Sequence, residues 1–171
     1  MKRAVSVILG VLLTGMLIAA LTLVYNLPLD TGDPAPAQPF AFSHRLHAGD
    51  YRIDCRYCHR GVEVGPAAGI PPLSTCQDCH LHIANDRPEV LKLLEQIKRK
   101  ESVAWVKVYD LPEHVYFPHM MHLRAQLDCT TCHGDVAGMD RITREVELEM
   151  GWCLNCHRQH RASIDCWTCH I

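Results

Sequence analysis

Residues 42–59 read Phe42-Ser-His44-Arg-Leu-His47-Ala-Gly-Asp-Tyr-Arg-Ile-Asp54-Cys55-Arg-Tyr-Cys58-His59. Two features of this stretch decide the fold: a Cys-x-x-Cys-His unit, and two His three positions apart just upstream of it. The unit recurs as Cys76-Gln-Asp-Cys79-His80, Cys129-Thr-Thr-Cys132-His133, Cys153-Leu-Asn-Cys156-His157 and Cys166-Trp-Thr-Cys169-His170. Together the five units use all 10 cysteines of the 171-residue chain.

Each unit is the attachment sequence for c-type haem. The spacing lets two thiols add to the two vinyl groups of one porphyrin, and the next residue offers its imidazole to the iron. His59, His80, His133, His157 and His170 are thus the expected proximal ligands. Paired cysteines can also bind zinc, but zinc does not require His after every pair. With 12 His in 171 positions, five such coincidences have a chance of roughly one in a million. Disulfides and a thioredoxin-like redox pair leave the same five His unexplained. The expected cofactor content is five covalently bound haem c groups.

Five porphyrins change the folding problem. Phe, Trp and Tyr together number 11, so large side chains cannot build an ordinary core. From Cys55 to Ile171 only 117 residues must wrap all five groups, and the porphyrins supply much of the buried apolar surface. The expected fold class is a mostly irregular, small α multihaem cytochrome of the class III or c7-like kind, with duplicated haem modules and one N-terminal transmembrane helix. One soluble helix is readable, with Asp86 and Glu89 as a capping box before Val90, Leu94 and Ile97. Val103 to Tyr109 alternates like a weak strand. With 17 basic against 19 acidic residues, no basic stripe points to nucleic acid.

The chain also repeats itself. Phe42-Ser-His44-Arg-Leu-His47 is matched by Phe117-Pro-His119-Met-Met-His122, 75 positions on, while Cys55 and Cys129 are 74 apart and Cys76 and Cys153 are 77 apart. Each repeat, about 42–85 and 117–160, is Phe-x-His-x-x-His followed by two haem motifs. The fifth motif, in 161–171, stands outside the pattern. Two His at i and i+3 share a helix face but diverge by roughly 60°, which suits two neighbouring irons. His44, His47, His119 and His122 are therefore the expected distal ligands of four haems, His44 serving the haem on Cys55 and His119 that on Cys129. For the fifth, the candidates are His82, His114, His160, Met120, Met121, Met139 and Met150. Met is a candidate because Met/His ligation raises a haem potential above that of bis-His neighbours, and Met150, just before Gly151-Trp152-Cys153, is preferred.

Lys2 and Arg3 precede an uncharged run from Ala4 to Tyr25, enough to cross a bilayer as a helix. The run is longer than the apolar region of a cleaved signal. The expectation is an anchor at 1–25 with its N-terminus in the cytoplasm, a Pro-rich spacer at 26–41 and a periplasmic haem domain at 42–171. Localisation follows: inner membrane, single-pass, with the haems on the extracytoplasmic side. Because the last motif lies so near Ile171, its porphyrin edge is expected to meet a partner or serve as an exit point.

The anchor, Phe-Ser-His-Arg-Leu-His-Ala-Gly, Asp54-Cys55-Arg56-Tyr57-Cys58-His59, Gly69-Ile70-Pro71-Pro72, Val115-Tyr116-Phe117 and Met150-Gly151-Trp152-Cys153 give the chain a further likeness. Over nearly its whole length it resembles the pentahaem cytochrome subunit of alternative complex III. The resemblance implies a relay from a quinol-oxidising membrane complex to a periplasmic electron carrier. It also implies partners: an iron–sulfur subunit of the molybdopterin-oxidoreductase type, polytopic quinol-binding subunits and a monohaem cytochrome c. No catalytic site of the chain's own is expected. One alternative is the cytochrome subunit of another quinone-linked complex. Another is a stand-alone membrane-anchored multihaem quinol dehydrogenase, but the Cys-x-x-Cys-His-x-Met sequence of that type is missing: the second position after each of the first four proximal His holds Gly61, His82, Asp135 and Gln159. A multihaem reductase would need an altered motif and a longer chain, and a diffusible carrier would not carry the anchor.

Overall fold

The computed structural model describes residues 2–25 and 32–170. They form two compact units divided between Gly32 and Asp33. In the first, helix α1 spans Lys2–Tyr25. Its segment Val5–Val24 has a mean hydropathy of 2.7 and no buried share, a length and composition that suit a membrane span or a signal sequence. The Thr14 and Thr22 hydroxyls donate to the Gly10 and Ile18 carbonyls, both at 2.9 Å, so neither polar group needs a partner outside the helix.

The second unit has four further helices: α2 (Leu73–His80), α3 (Pro88–Arg99), α4 (His119–Arg124) and α5 (Met150–Gln159). Single helical turns occupy Cys55–Cys58, Thr130–His133 and Cys166–Cys169. A π-helical turn covers Arg45–Asp50, and 3-10 turns cover Arg60–Glu63 and Val136–Gly138. Among the described residues there is no strand, only an isolated antiparallel bridge between Val115 and His170. One apolar side chain is buried among the described residues, Phe40 at 8% exposure, with its ring 6.0 Å from Trp105. An ordinary domain closes over a contiguous cluster of buried side chains; among the described residues of this one, side chains alone build no such cluster, as the expected porphyrins would require.

The readable helix is α3, but its start differs from the expected capping box. Arg87 is the N-cap with no side-chain cap, and Pro88 opens the helix, where its missing N–H costs nothing. Glu89 instead accepts the Ala41 N–H at 3.2 Å and pairs with Lys92. Lys98 and Arg99 in the last turn suit the carboxyl end of the helix dipole, and Lys100 closes it in the left-handed region at φ 56°.

Val103 to Tyr109 forms no strand. The Gln38 side-chain amide takes up both backbone groups of Val106, donating to its carbonyl at 2.9 Å and accepting its N–H at 3.0 Å, so no neighbouring strand is needed. Of the stretch assigned to the spacer, 26–31 lie outside the described residues. From Asp33 on it runs along the haem domain: the Pro34 carbonyl accepts the Arg144 N–H at 2.7 Å, and Gln38, Phe40 and Ala41 make the contacts already given.

Candidate haem-binding sites

No cysteine is in a disulfide, and all ten are exposed or half-buried. The two repeats carry their motifs alike. The first and third motifs each begin on a single turn led by an aspartate. Asp54 Oδ1 accepts the Arg56 N–H, and Asp128 Oδ1 the Thr130 N–H, both at 2.8 Å. The second ends α2 and the fourth lies within α5. Burial pushes the Cys58, Cys76, Cys129, Cys132 and Cys153 thiols above the usual thiol range.

Three of the five proximal imidazoles are oriented by backbone carbonyls. Nδ1 of His59 donates to Gly69 at 2.7 Å, that of His80 to Ile83 at 3.1 Å and that of His157 to Ser163 at 2.5 Å. Such a bond fixes the tautomer with the proton on Nδ1, leaves Nε2 free for a metal and raises its basicity. Local sequence builds the Gly69 acceptor. Gly61 donates its N–H to Ala68 at 3.1 Å, and a Cβ there would collide with the Ala67 and Ala68 carbonyls. Tyr109 packs edge-on against His133 at 4.8 Å.

The duplicated His-x-x-His segments repeat each other in space. Phe42 stacks on His47 at 4.4 Å and meets His44 edge-on at 4.9 Å. Phe117 stacks on His122 at 4.2 Å and meets His119 edge-on at 4.8 Å. His47 and His122 donate from Nδ1 to the carbonyl four residues back, Ser43 at 2.8 Å and Pro118 at 3.0 Å. His119 donates instead to Pro66 of the other repeat at 2.8 Å.

Three of these four His face proximal ones. Ring centres lie 6.1 Å apart for His47 and His80, 6.4 Å for His119 and His133, and 6.1 Å for His122 and His157. Metal–imidazole bonds are about 2 Å, so two imidazoles on opposite sides of one metal have ring centres roughly 6 Å apart. The donor set and its spacing therefore fit haem iron. His44 neighbours His59: burial, then the imidazoles of His59 and His47, lower its pKa to about 4. Burial, His119 and His59 likewise lower that of His133. Both rings are kept neutral, as metal ligation requires. His44 differs from His119 in one respect, since its buried Nδ1 has no hydrogen-bond partner.

The fifth motif has its own neighbour. His114 stacks on His170 at 5.6 Å and 18°, held there by the Val115–His170 bridge and by the Tyr116 N–H on the Cys169 carbonyl at 2.7 Å. Met150, preferred from the sequence, stands at the first position of α5 and is 64% exposed. Spacing alone did not single out His114; the available signal was its position three residues before the repeated Phe117 segment.

Two comparisons bear on these sites. Residues 115–171 match the family described as cytochrome c7 and related cytochrome c. The chain is also 29% identical over 163 residues to the menaquinone reductase multihaem cytochrome c subunit of Nitratidesulfovibrio vulgaris, covering 78% of this chain and 76% of that one. Helices and irregular turns carrying paired cysteines, with no strand among the described residues, make this a c7-like multihaem cytochrome fold with covalently bound haem c, preceded by one apolar helix that could serve as a membrane span.

Proposed function

We propose that the chain is a membrane-anchored pentahaem relay within a quinol-oxidising membrane complex of the alternative complex III type, passing electrons to a periplasmic carrier. The observation that carries this reading is the set of four imidazole pairs with ring centres 5.6–6.4 Å apart. Haem c, when bound, supplies an iron that exchanges one electron. His59 with His44, His80 with His47, His133 with His119, His157 with His122 and His170 with His114 would hold the five irons. Met150 is left without that role. Held by two imidazoles, each iron would have no coordination position left for a substrate, and the chain would relay rather than catalyse. The backbone carbonyls on Nδ1 hold the rings in one orientation, so little rearrangement accompanies a change of charge. The proposed partners are an iron–sulfur subunit of the molybdopterin-oxidoreductase type, polytopic quinol-binding subunits and a monohaem cytochrome c, with α1 anchoring the haem domain on the periplasmic side.

Likeness to a menaquinone reductase subunit favours a second reading, in which the same relay runs toward the quinone. Gentle detergent extraction of the tagged chain, followed by rapid mixing of the purified assembly with quinol, separates the two. Co-purification with iron–sulfur and polytopic subunits, and haem reduction by quinol, is the expected result. Reoxidation of prereduced haems by menaquinone, without reduction by quinol, would establish the second reading. Recovery of the chain alone, still oxidising quinol, would show a self-sufficient dehydrogenase and overturn both.

A further inference from the structure

The contacts between the repeats are reciprocal. The Arg45 N–H donates to the Met139 carbonyl at 2.8 Å, and the Met120 N–H donates to the Gly65 carbonyl at 3.3 Å. Arg45 and Met120 are equivalent under the 75-residue offset of the His segments. Gly65 and Met139 are equivalent under the 74-residue offset of the first motifs. One repeat thus uses on its neighbour the same positions that the neighbour uses on it. The next pair of equivalents, Pro66 and Asp140, also reaches across: Pro66 accepts the N–H and Nδ1 of His119, while Asp140 takes Ser43 at 2.6 Å and Arg45 at 3.0 Å. Gly49 seals the contact, since a Cβ there would strike the Ala137 carbonyl.

On this reciprocal contact the equivalent first motifs lie together. His119, whose ring faces His133 of the third motif, is held by the Pro66 carbonyl in the loop that follows the first motif. Away from the contact, Phe42 joins His44 to His47, which faces His80 of the second motif, and Phe117 joins His119 to His122, which faces His157 of the fourth. His157 in turn donates to the Ser163 carbonyl, and the Ser163 hydroxyl meets that of Thr168 in the fifth motif. Each motif is therefore placed beside one or two others.

We infer that the two repeats meet head to head through their first motifs, so that the haems stand in a single unbranched file ordered second, first, third, fourth, fifth. This deepens the relay reading and rests on it. The file does not follow the order of the sequence: the haem on Cys76 and Cys79 occupies one end and that on Cys166 and Cys169 the other. Electrons enter and leave at those two ends, and every transfer between them crosses the Cys55–Cys129 junction.

The test is to locate the irons of the haem-loaded native protein by anomalous scattering at the iron edge. Five irons are expected, with the iron on His59 between those on His80 and His133, and the iron on His170 adjacent only to that on His157. Five irons in another order, with the His80 iron adjacent to the His133 iron or with a branch at any site, would overturn the inference and leave the pentahaem reading standing. Fewer than five irons would instead count against the pentahaem reading itself.

Discussion

The first repeat and the second place their ligands alike and support them differently. In both, a Phe ring stacks on the second His of the segment and meets the first edge-on, within 0.2 Å of the same spacing. Yet His119 is anchored through Nδ1 to Pro66, whereas Nδ1 of His44 is buried without a partner. The proximal sides compensate: His59 has the Gly69 carbonyl and His133 has none among the described residues. The ring stacking is thus common to both segments, while the carbonyl that takes up Nδ1 falls on the proximal His of one pair and on the distal His of the other.

The largest expected effect removes both repeats together. Produced without haem attachment, the haem domain should lose nearly all of its helical circular dichroism, because Phe40 is the one buried apolar side chain among its described residues. A cooperative thermal transition in the haem-free protein would show that side chains alone hold the repeats.

Next in size are the ligands. His114→Ala should convert about one fifth of the haem to a high-spin form, since the fifth iron loses one of two axial ligands. Met150→Leu should leave the spectrum unchanged. The reverse pattern in low-temperature EPR would restore Met150 as the ligand.

The contrast between His44 and His119 gives a smaller effect. Loss of the Pro66 bond should make His119→Ala about 1 kcal/mol more destabilising than His44→Ala, measured as a difference in denaturant midpoint at fixed slope. Equal midpoints would mean that the Pro66 contact adds nothing.

Potentials sharpen the same comparison within the intact protein. The His47–His80 and His122–His157 sites have a carbonyl on both imidazoles, the two junction sites on one, and the His114–His170 site on neither among the described residues. More basic ligands favour the oxidised iron. The two doubly bonded sites should therefore titrate lowest and the fifth highest in a resolved redox titration; a fifth haem at the low end would refute that ranking.

The smallest effect is electrostatic. Hydrogen bonds from Arg45 and Ser43 hold the Asp140 carboxyl below the usual carboxylate range. Because the folded value is the lower, the unfolded chain binds more protons in acid, so this contribution is present above pH about 4 and lost as the pH falls further. Asp140→Asn should lower neutral stability slightly and leave stability in strong acid nearly unchanged, so that the acid limb flattens, as a pH series of thermal midpoints would show.

Much of this was legible in the residues. The motifs, the doubled Phe-x-His-x-x-His and the apolar face of α3 are local patterns, and local patterns survive without knowledge of the fold. What could not be read depended on distant partners. Asp86 and Glu89 have capping-box spacing, but Ala41 claims Glu89 from 48 positions away. The alternation of Val103–Tyr109 fits a strand, but Gln38 satisfies Val106 by side chain. Met150 and His114 are both able ligands by chemistry; that His114 comes beside the fifth motif depends on the bridge between Val115 and His170, which no local pattern reveals.

The reciprocal bonds from Arg45 to Met139 and from Met120 to Gly65 have an ancestry written into them. A contact in which position i meets j and the counterpart of i meets the counterpart of j is what closes two identical subunits about a two-fold axis. A two-haem peptide that paired with its own copy would already have four haems in line across that axis. Tandem duplication would then have joined two subunits without disturbing a single step of the path. The fifth motif, outside the symmetry, extended one end of a ready-made wire.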